Sequence, residues 1–136
     1  MLKVLVRGMF LSVGLLILLL FLAWFCMRQF ASHQAVVKDS IASGSGKCLL
    51  NTYFRNYADL GVAGRVASVF GSTHFYRVYS ESGDLLATSE WNIGEHEVDV
   101  FATEWLGQTA MYPTQHGWAS FSLKECAAES AQTLHD

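Results

Sequence analysis

No acidic residue occurs before Asp39, and no charge of either sign lies between Arg7 and Arg28. The second absence leaves the stretch Met9–Met27, MFLSVGLLILLLFLAWFCM, apolar all round, with no face that water would solvate. A helix of that length reaches roughly 28 Å at about 1.5 Å per residue, close to the hydrocarbon thickness of a bilayer. The pattern predicts a membrane-spanning helix over 9–27 behind a short basic head, 1–8. A small-x-small cleavage site is also missing behind this run, and the run exceeds the 7–15 residues of a secretory signal core. Trp24 and Phe25 stand where a lipoprotein-type Cys26 would need small residues. The span therefore reads as an uncleaved signal anchor; the alternative is a cleaved leader that releases a soluble protein.

The motifs of common chemistries are absent as well. There is no HExxH or CxxC, and His33, His74, His96, His116 and His135 are scattered, so no zinc site is legible. No G-x-S-x-G elbow announces a nucleophile. Gly44-Ser45-Gly46-Lys47 imitates the tail of a phosphate-binding loop, but Ile41 and Cys48 stand where glycine and Ser/Thr are required, so it reads as a hinge. No N-x-S/T sequon follows the span, which accords with a non-glycosylating host. Internal repeats and low-complexity blocks are also lacking, and the single proline is Pro113.

What is present is unevenly distributed. All 12 acidic residues lie beyond Arg28, against six of the nine basic ones, giving that part a formal charge of −6. A body so acidic is a poor ligand for phosphate backbones, which disfavours nucleic acid as a partner. Lys3, Arg7 and the α-amino group outweigh Arg28 and Lys38, which predicts a cytoplasmic N-terminus and an extracytoplasmic body. Cys48 and Cys126 bracket that body and are expected to pair in an oxidising compartment. Cys26, at the outer end of the span, is left over and offers a route to a homodimer, as does the small-xxx-small spacing of Gly8 and Ser12 at the start of the span.

In chain order, 28–47 reads as a membrane-proximal linker whose front half continues the helix for a turn or more before the Ser43–Gly46 hinge. Leu49, Leu50, Tyr53, Phe54, Tyr57 and Leu60 recur at helical spacing and predict a helix over 49–60. Arg65–Phe70 reads as a strand. Thr73–Ser80 and Leu85–Trp91 read as a hairpin closed by Glu81–Asp84. Val98–Leu106 fits either a strand or a helical face, and its β-branched content favours the strand. Gly107–Gly117 reads as a loop, Trp118–Lys124 as a last strand with Ala119, Phe121 and Leu123 on one face, and 127–136 as a tail. The expected fold class is α+β: the transmembrane helix, then an antiparallel sheet with one helix packed across it, spanning 48–126.

Two groups of residues are candidates for function. Trp91, Trp105, Tyr112 and Trp118 exceed what one sheet face needs as core, and surplus aromatics mark binding surfaces. Glu95, Glu97 and Asp99 would share a face if extended, and a solvated acidic edge is the ordinary reading of them. No catalytic residue, cofactor or metal site is assigned. The expected function is non-enzymatic: a single-pass protein of a bacterial inner membrane whose periplasmic body binds or modulates another envelope protein. The rivals are a membrane-tethered sensor of a small solute or cation, and a small hydrolase.

Overall fold

The computed structural model describes residues 2–93, 97–98 and 101–128, with side chains from Arg7 onward. Helix α1 (Leu2–His33) is the longest element. Its portion Arg7–His33 has a mean hydropathy of 2.7 over its most apolar window, none of which is buried, so it is long and apolar enough to cross a membrane. At about 1.5 Å per residue those 27 residues extend roughly 40 Å, about 10 Å more than a hydrocarbon layer. The surplus is the last turns, where Arg28, Ala31 and Ser32 are buried against the rest of the chain.

The α+β class holds. Among the described residues, seven strands form two antiparallel sheets, ordered β1-β2-β3-β4 and β5-β6-β7. The strands are β1 (Val36–Ala42), β2 (Cys48–Phe54), β3 (His74–Ser80), β4 (Leu85–Thr88), β5 (Glu104–Leu106), β6 (Thr109–Thr114) and β7 (Gly117–Ser122). A 3-10 turn (Ala58–Leu60) and helix α2 (Gly61–Phe70) lie between β2 and β3, and a second 3-10 turn (Lys124–Cys126) follows β7.

The sheets share one core. Cys48 and Leu50 of β2 and Tyr76 and Val78 of β3 meet Ala110 and Tyr112 of β6, and Ala119 and Phe121 of β7 pack against them. Leu50 stands opposite Val78 across the first sheet. The Tyr112 ring lies 4.7 Å from Tyr76 and 4.8 Å from Phe121, joining the two layers through aromatic contacts. Cys48 and Cys126 are disulfide-bonded within this core.

Several expectations are corrected. Residues 49–60 form β2 and a 3-10 turn, not a helix. Cys48, Leu50 and Thr52 are the buried positions of β2, but Leu49 and Tyr53 put apolar and aromatic residues on its other, partly exposed face, so the alternation that marks a one-sided strand is blurred in the sequence and chance helical spacing shows through. Residues 61–70 form α2, not a strand over Arg65–Phe70. The valines there suggest a strand, but the small residues decide otherwise. Gly64 and Ala67 are the buried positions, and a Cβ on Gly64 would run into the Tyr57 carbonyl oxygen. Of Val98–Leu106, only Glu104–Leu106 is strand among the described residues. The expected loop Gly107–Gly117 contains β6, in which Pro113 pairs with Trp118 beyond the stretch that β5 covers.

The expected linker 28–47 comprises the end of α1, strand β1 and a closed turn. Ser43 donates its N–H to the Cys48 carbonyl at 2.8 Å, Cys48 N–H donates to Ser43 Oγ at 3.1 Å, and Gly46 takes a φ of 74° that favours glycine. Ser45 Oγ donates to the Cys126 carbonyl at 2.9 Å, so the turn is also held to the end of the body. The expected hairpin is observed as β3 and β4, with Glu81–Asp84 between them.

The disulfide closes 78 residues of chain, which on the chain-entropy model contributes about 4–5 kcal/mol. Reduction, or Cys48→Ala with Cys126→Ala, is expected to lower the melting temperature of the detergent-solubilised protein by roughly 10–30 °C. Circular dichroism with and without reductant measures this, and an unchanged melting temperature would show that the bridge adds no stability.

Candidate functional site at the foot of the body

The most concentrated polar chemistry lies where α1 meets the sheets. Trp24, Arg28 and Ser32 recur every four residues and so lie along one side of α1. Arg28 is 2% exposed and its guanidinium sits 5.7 Å from the Trp24 ring centroid. Its Nη2 donates to the carbonyl of Glu90 at 3.0 Å and to that of Asn92. Arg55 follows directly on β2 and is 0% exposed. Its Nε donates to Ser32 Oγ at 2.8 Å, Nη1 to the carbonyls of Ser72 and His74 at 2.8 and 3.0 Å, and Nη2 to the Glu90 carbonyl at 3.1 Å. The Ser32 hydroxyl in turn donates to the Arg28 carbonyl at 3.1 Å.

Glu90 is engaged a third time. Its carboxylate accepts from Arg77 Nη2 at 2.6 Å. Arg77 also lies over the rings of Tyr53 and Phe75, at 5.1 and 5.0 Å, and Arg55 lies 4.7 Å from Phe75. Tyr53 and Phe75 face each other across β2 and β3, stacked at 5.0 Å with 9° between their planes. The face of the first sheet turned away from the tyrosine core is thus a cation–aromatic layer.

Electrostatics favours retention of these charges. Burial, followed by the nearby Arg28 cation, brings the Arg55 pKa down to about 10, so the group stays charged at neutral pH. Burial also tends to lower the Arg77 pKa, but its hydrogen bonds to Glu90 and Tyr79 outweigh that and the net shift is upward. Glu97 is 2% exposed and, among the described residues, neither carboxylate oxygen has a hydrogen-bond partner. It acts on Arg55 through the field alone, as a nearby anion that favours the cation. Carbonyl oxygens, rather than carboxylates, make most of the direct contacts to Arg28 and Arg55.

The residues expected to form a binding surface are dispersed. Tyr112 is buried at 3% exposure, and Trp105 is half-buried in the core with its Nε1 donating to the Ile41 carbonyl at 3.0 Å. Glu97 is buried beneath the arginines. Trp91 is exposed at the foot, 6.3 Å from the Phe25 ring, and Trp118 is exposed beside Phe101, 6.1 Å away. Glu95 and Asp99 lie outside the described residues, as does His96. His74 is buried in β3 and His116 is exposed in the β6–β7 turn. Among the described residues, no three His, Cys, Asp or Glu side chains are grouped to hold a metal. The clamp itself was not read from the sequence: Arg28 there marks the end of the span and Arg55 interrupts an apolar run. The available signals were the Arg28–Ser32 spacing and a lone cation among aromatics.

Arg55→Ala leaves three carbonyls, the Ser32 hydroxyl and the Glu97 charge without their cation, and truncation of a buried, paired charge typically costs about 3–5 kcal/mol. The variant is expected to melt roughly 12 °C or more below wild type, with Arg55→Lys intermediate because it keeps the charge but not the planar fork. Differential scanning fluorimetry compares the three. A pH dependence is also expected from His74, whose pKa is lowered, chiefly by burial and then by Lys38 and Arg55. The unfolded chain therefore binds the proton first, so stability is full above pH 6.5 and falls as pH drops through 6.5 toward the lower folded value. Melting temperatures from pH 7.5 downward should fall less steeply in His74→Gln than in wild type.

Compared with known proteins, the chain matches no protein-family model, no curated sequence and no solved structure.

Proposed function

We propose that the chain is a single-pass protein of a bacterial inner membrane, with α1 as the span, a cytoplasmic N-terminus and a periplasmic body that works by binding another envelope protein rather than by catalysis. Support for the orientation comes from Lys3 and Arg7 at the head. The Cys48–Cys126 bridge suits an oxidising compartment. The observation that carries the binding reading is the arginine clamp. A tether for a free-standing enzyme needs slack, whereas Arg28 and Arg55 hold α1 and the sheets in one relative orientation. Fixed height and facing are useful to a module that must meet a neighbour in the same membrane. Its contact surface is assigned to Phe101 and Trp118, an exposed aromatic pair on the second sheet's side of the body.

One observation favours the solute-sensing alternative. A cleft of about 360 Å³ is lined by Lys38, Asp39, Thr52, Tyr76, Phe101 and Thr103, and the buried Thr103 hydroxyl has no hydrogen-bond partner among the described residues. Thermal stabilisation of the purified protein by one solute out of a screen would favour that reading over protein binding.

The test is mild-detergent purification of the tagged full chain from its native membranes, with mass spectrometry of what accompanies it. Wild type is expected to retain one stoichiometric envelope protein. Trp118→Ala is expected to weaken retention by roughly 30-fold or more, the loss of an interface anchor of at least about 2 kcal/mol. A slackened chain, Arg28→Ala with a Gly-Ser insertion between Gln34 and Ala35, should lose the partner while keeping the Cys48–Cys126 bridge oxidised. Purification of wild type alone would overturn the binding reading.

A further inference from the structure

Beyond the uncharged run of α1, one group of exposed apolar side chains stands around the end of α1. In α2 the buried positions are Gly64 and Ala67, and Val62, Val66, Val69 and Phe70 are 79%, 56%, 73% and 66% exposed. At 100° per residue these four fall within an arc of about 100°, opposite the two small residues. The helix is therefore amphipathic with its apolar face outward, and Arg65 is its sole charged side chain. Ala67 packs with Ala31 and Tyr57, against which Trp24 and Met27 also lie, so α2 stands beside α1 just beyond the uncharged run. Trp91 and Ile93, 58% and 51% exposed, come from a different segment. Trp91 meets α1 at Phe25, about 100° further round the helix than Trp24. Phe30 is 47% exposed on a third side.

The opposite end has another character. Strand β3 leads from His74, whose carbonyl receives Arg55, to Ser80, seven residues and about 20 Å away. The turn beyond it exposes Glu81, Ser82 and Asp84.

We propose that the foot of the body is seated in the bilayer interface: α2 lies in the headgroup–acyl boundary on its Val62, Val66, Val69 and Phe70 face, and Trp91 and Ile93 enter the same layer on another side of α1. This rests on the reading of α1 as a membrane span. The occupant follows from the arrangement around α1. A protein partner or a second copy would cover one side, but the apolar groups stand on several sides of a helix that itself continues into apolar surroundings. A lipid layer pierced by α1 touches all of them together. Arg65, at the flank of the α2 face, is placed to extend its guanidinium toward phosphate while its stem stays in the boundary. Trp91 suits the same depth, where indole rings are favoured.

The test uses the full chain carrying Cys26→Ser and, one at a time, Leu15→Cys, Val66→Cys, Val69→Cys or Ser82→Cys, each labelled with a small fluorophore. The proteins are reconstituted in vesicles of phosphatidylcholine and phosphatidylglycerol, and quenching by lipid-borne nitroxide is compared with quenching by aqueous iodide. Labels at Leu15, Val66 and Val69 are expected to be quenched several-fold more by the lipid nitroxide, and the label at Ser82 by iodide. If Leu15 reports lipid while Val66 and Val69 report water, the seated foot is overturned and the span reading stands. Labels at Val66 and Val69 shielded from both quenchers would mean protein covers α2, which also overturns it. An iodide-accessible Leu15 would remove the span reading, and the seated foot with it.

Discussion

Three arginines close on one residue. Glu90 gives its carbonyl oxygen to Arg28 and Arg55 and its carboxylate to Arg77. Arg28 belongs to α1, Arg55 leaves the end of β2, and Arg77 stands in the middle of β3, so a single position after β4 ties together parts of the chain that are far apart in sequence. The arrangement depends on the guanidinium group. Its planar fork serves several carbonyls at fixed angles and keeps its charge when buried, neither of which an ammonium does as well. Neighbouring cations repel, and here the carbonyl dipoles of Ser72, His74, Glu90 and Asn92, with the Glu97 anion behind them, offset that repulsion.

From this clamp the first sheet acquires two unlike faces. One is the tyrosine and aliphatic core shared with the second sheet and closed by the disulfide. The other is a layer of Tyr53 and Phe75 under the guanidiniums of Arg55 and Arg77. A cation–aromatic layer lets a strand face be buried without a second aliphatic core, which suits a chain this small.

That division also explains what could and could not be read in advance. The apolar run of α1, the β3–β4 hairpin and the two paired cysteines were legible because each is a local pattern: a long uncharged stretch, alternation around a polar turn, and thiols at the two ends of a body. The identity of β2 was hidden because Tyr53 and Phe54 interrupt its alternation with aromatics that serve neighbours on β3. The identity of α2 was hidden for the opposite reason. Its valines suggest a buried strand but stand exposed, and Gly64 and Ala67, which say little by composition, hold it against Tyr57 and α1. Of the expected surface, Trp118 and Trp91 are exposed, whereas Trp105 and Tyr112 fill the space between sheets. Sequence counts aromatics but does not say which side of a second, unforeseen sheet they meet. Arg28 and Arg55 were visible as letters, and only the tertiary convergence on Glu90 gives them a shared role.

The union of α1 with the body has a mechanical consequence. Helix and sheets joined through Ser32, Arg28 and Arg55 form a rod fixed to a plate, with little backbone between them to bend. Within a bilayer, a change in thickness that such a rod accommodates by leaning is not absorbed at the joint. It reappears as an equal lean of the plate, magnified into lateral travel at the Glu81–Asp84 turn because that turn lies about 20 Å along β3 from the pivot.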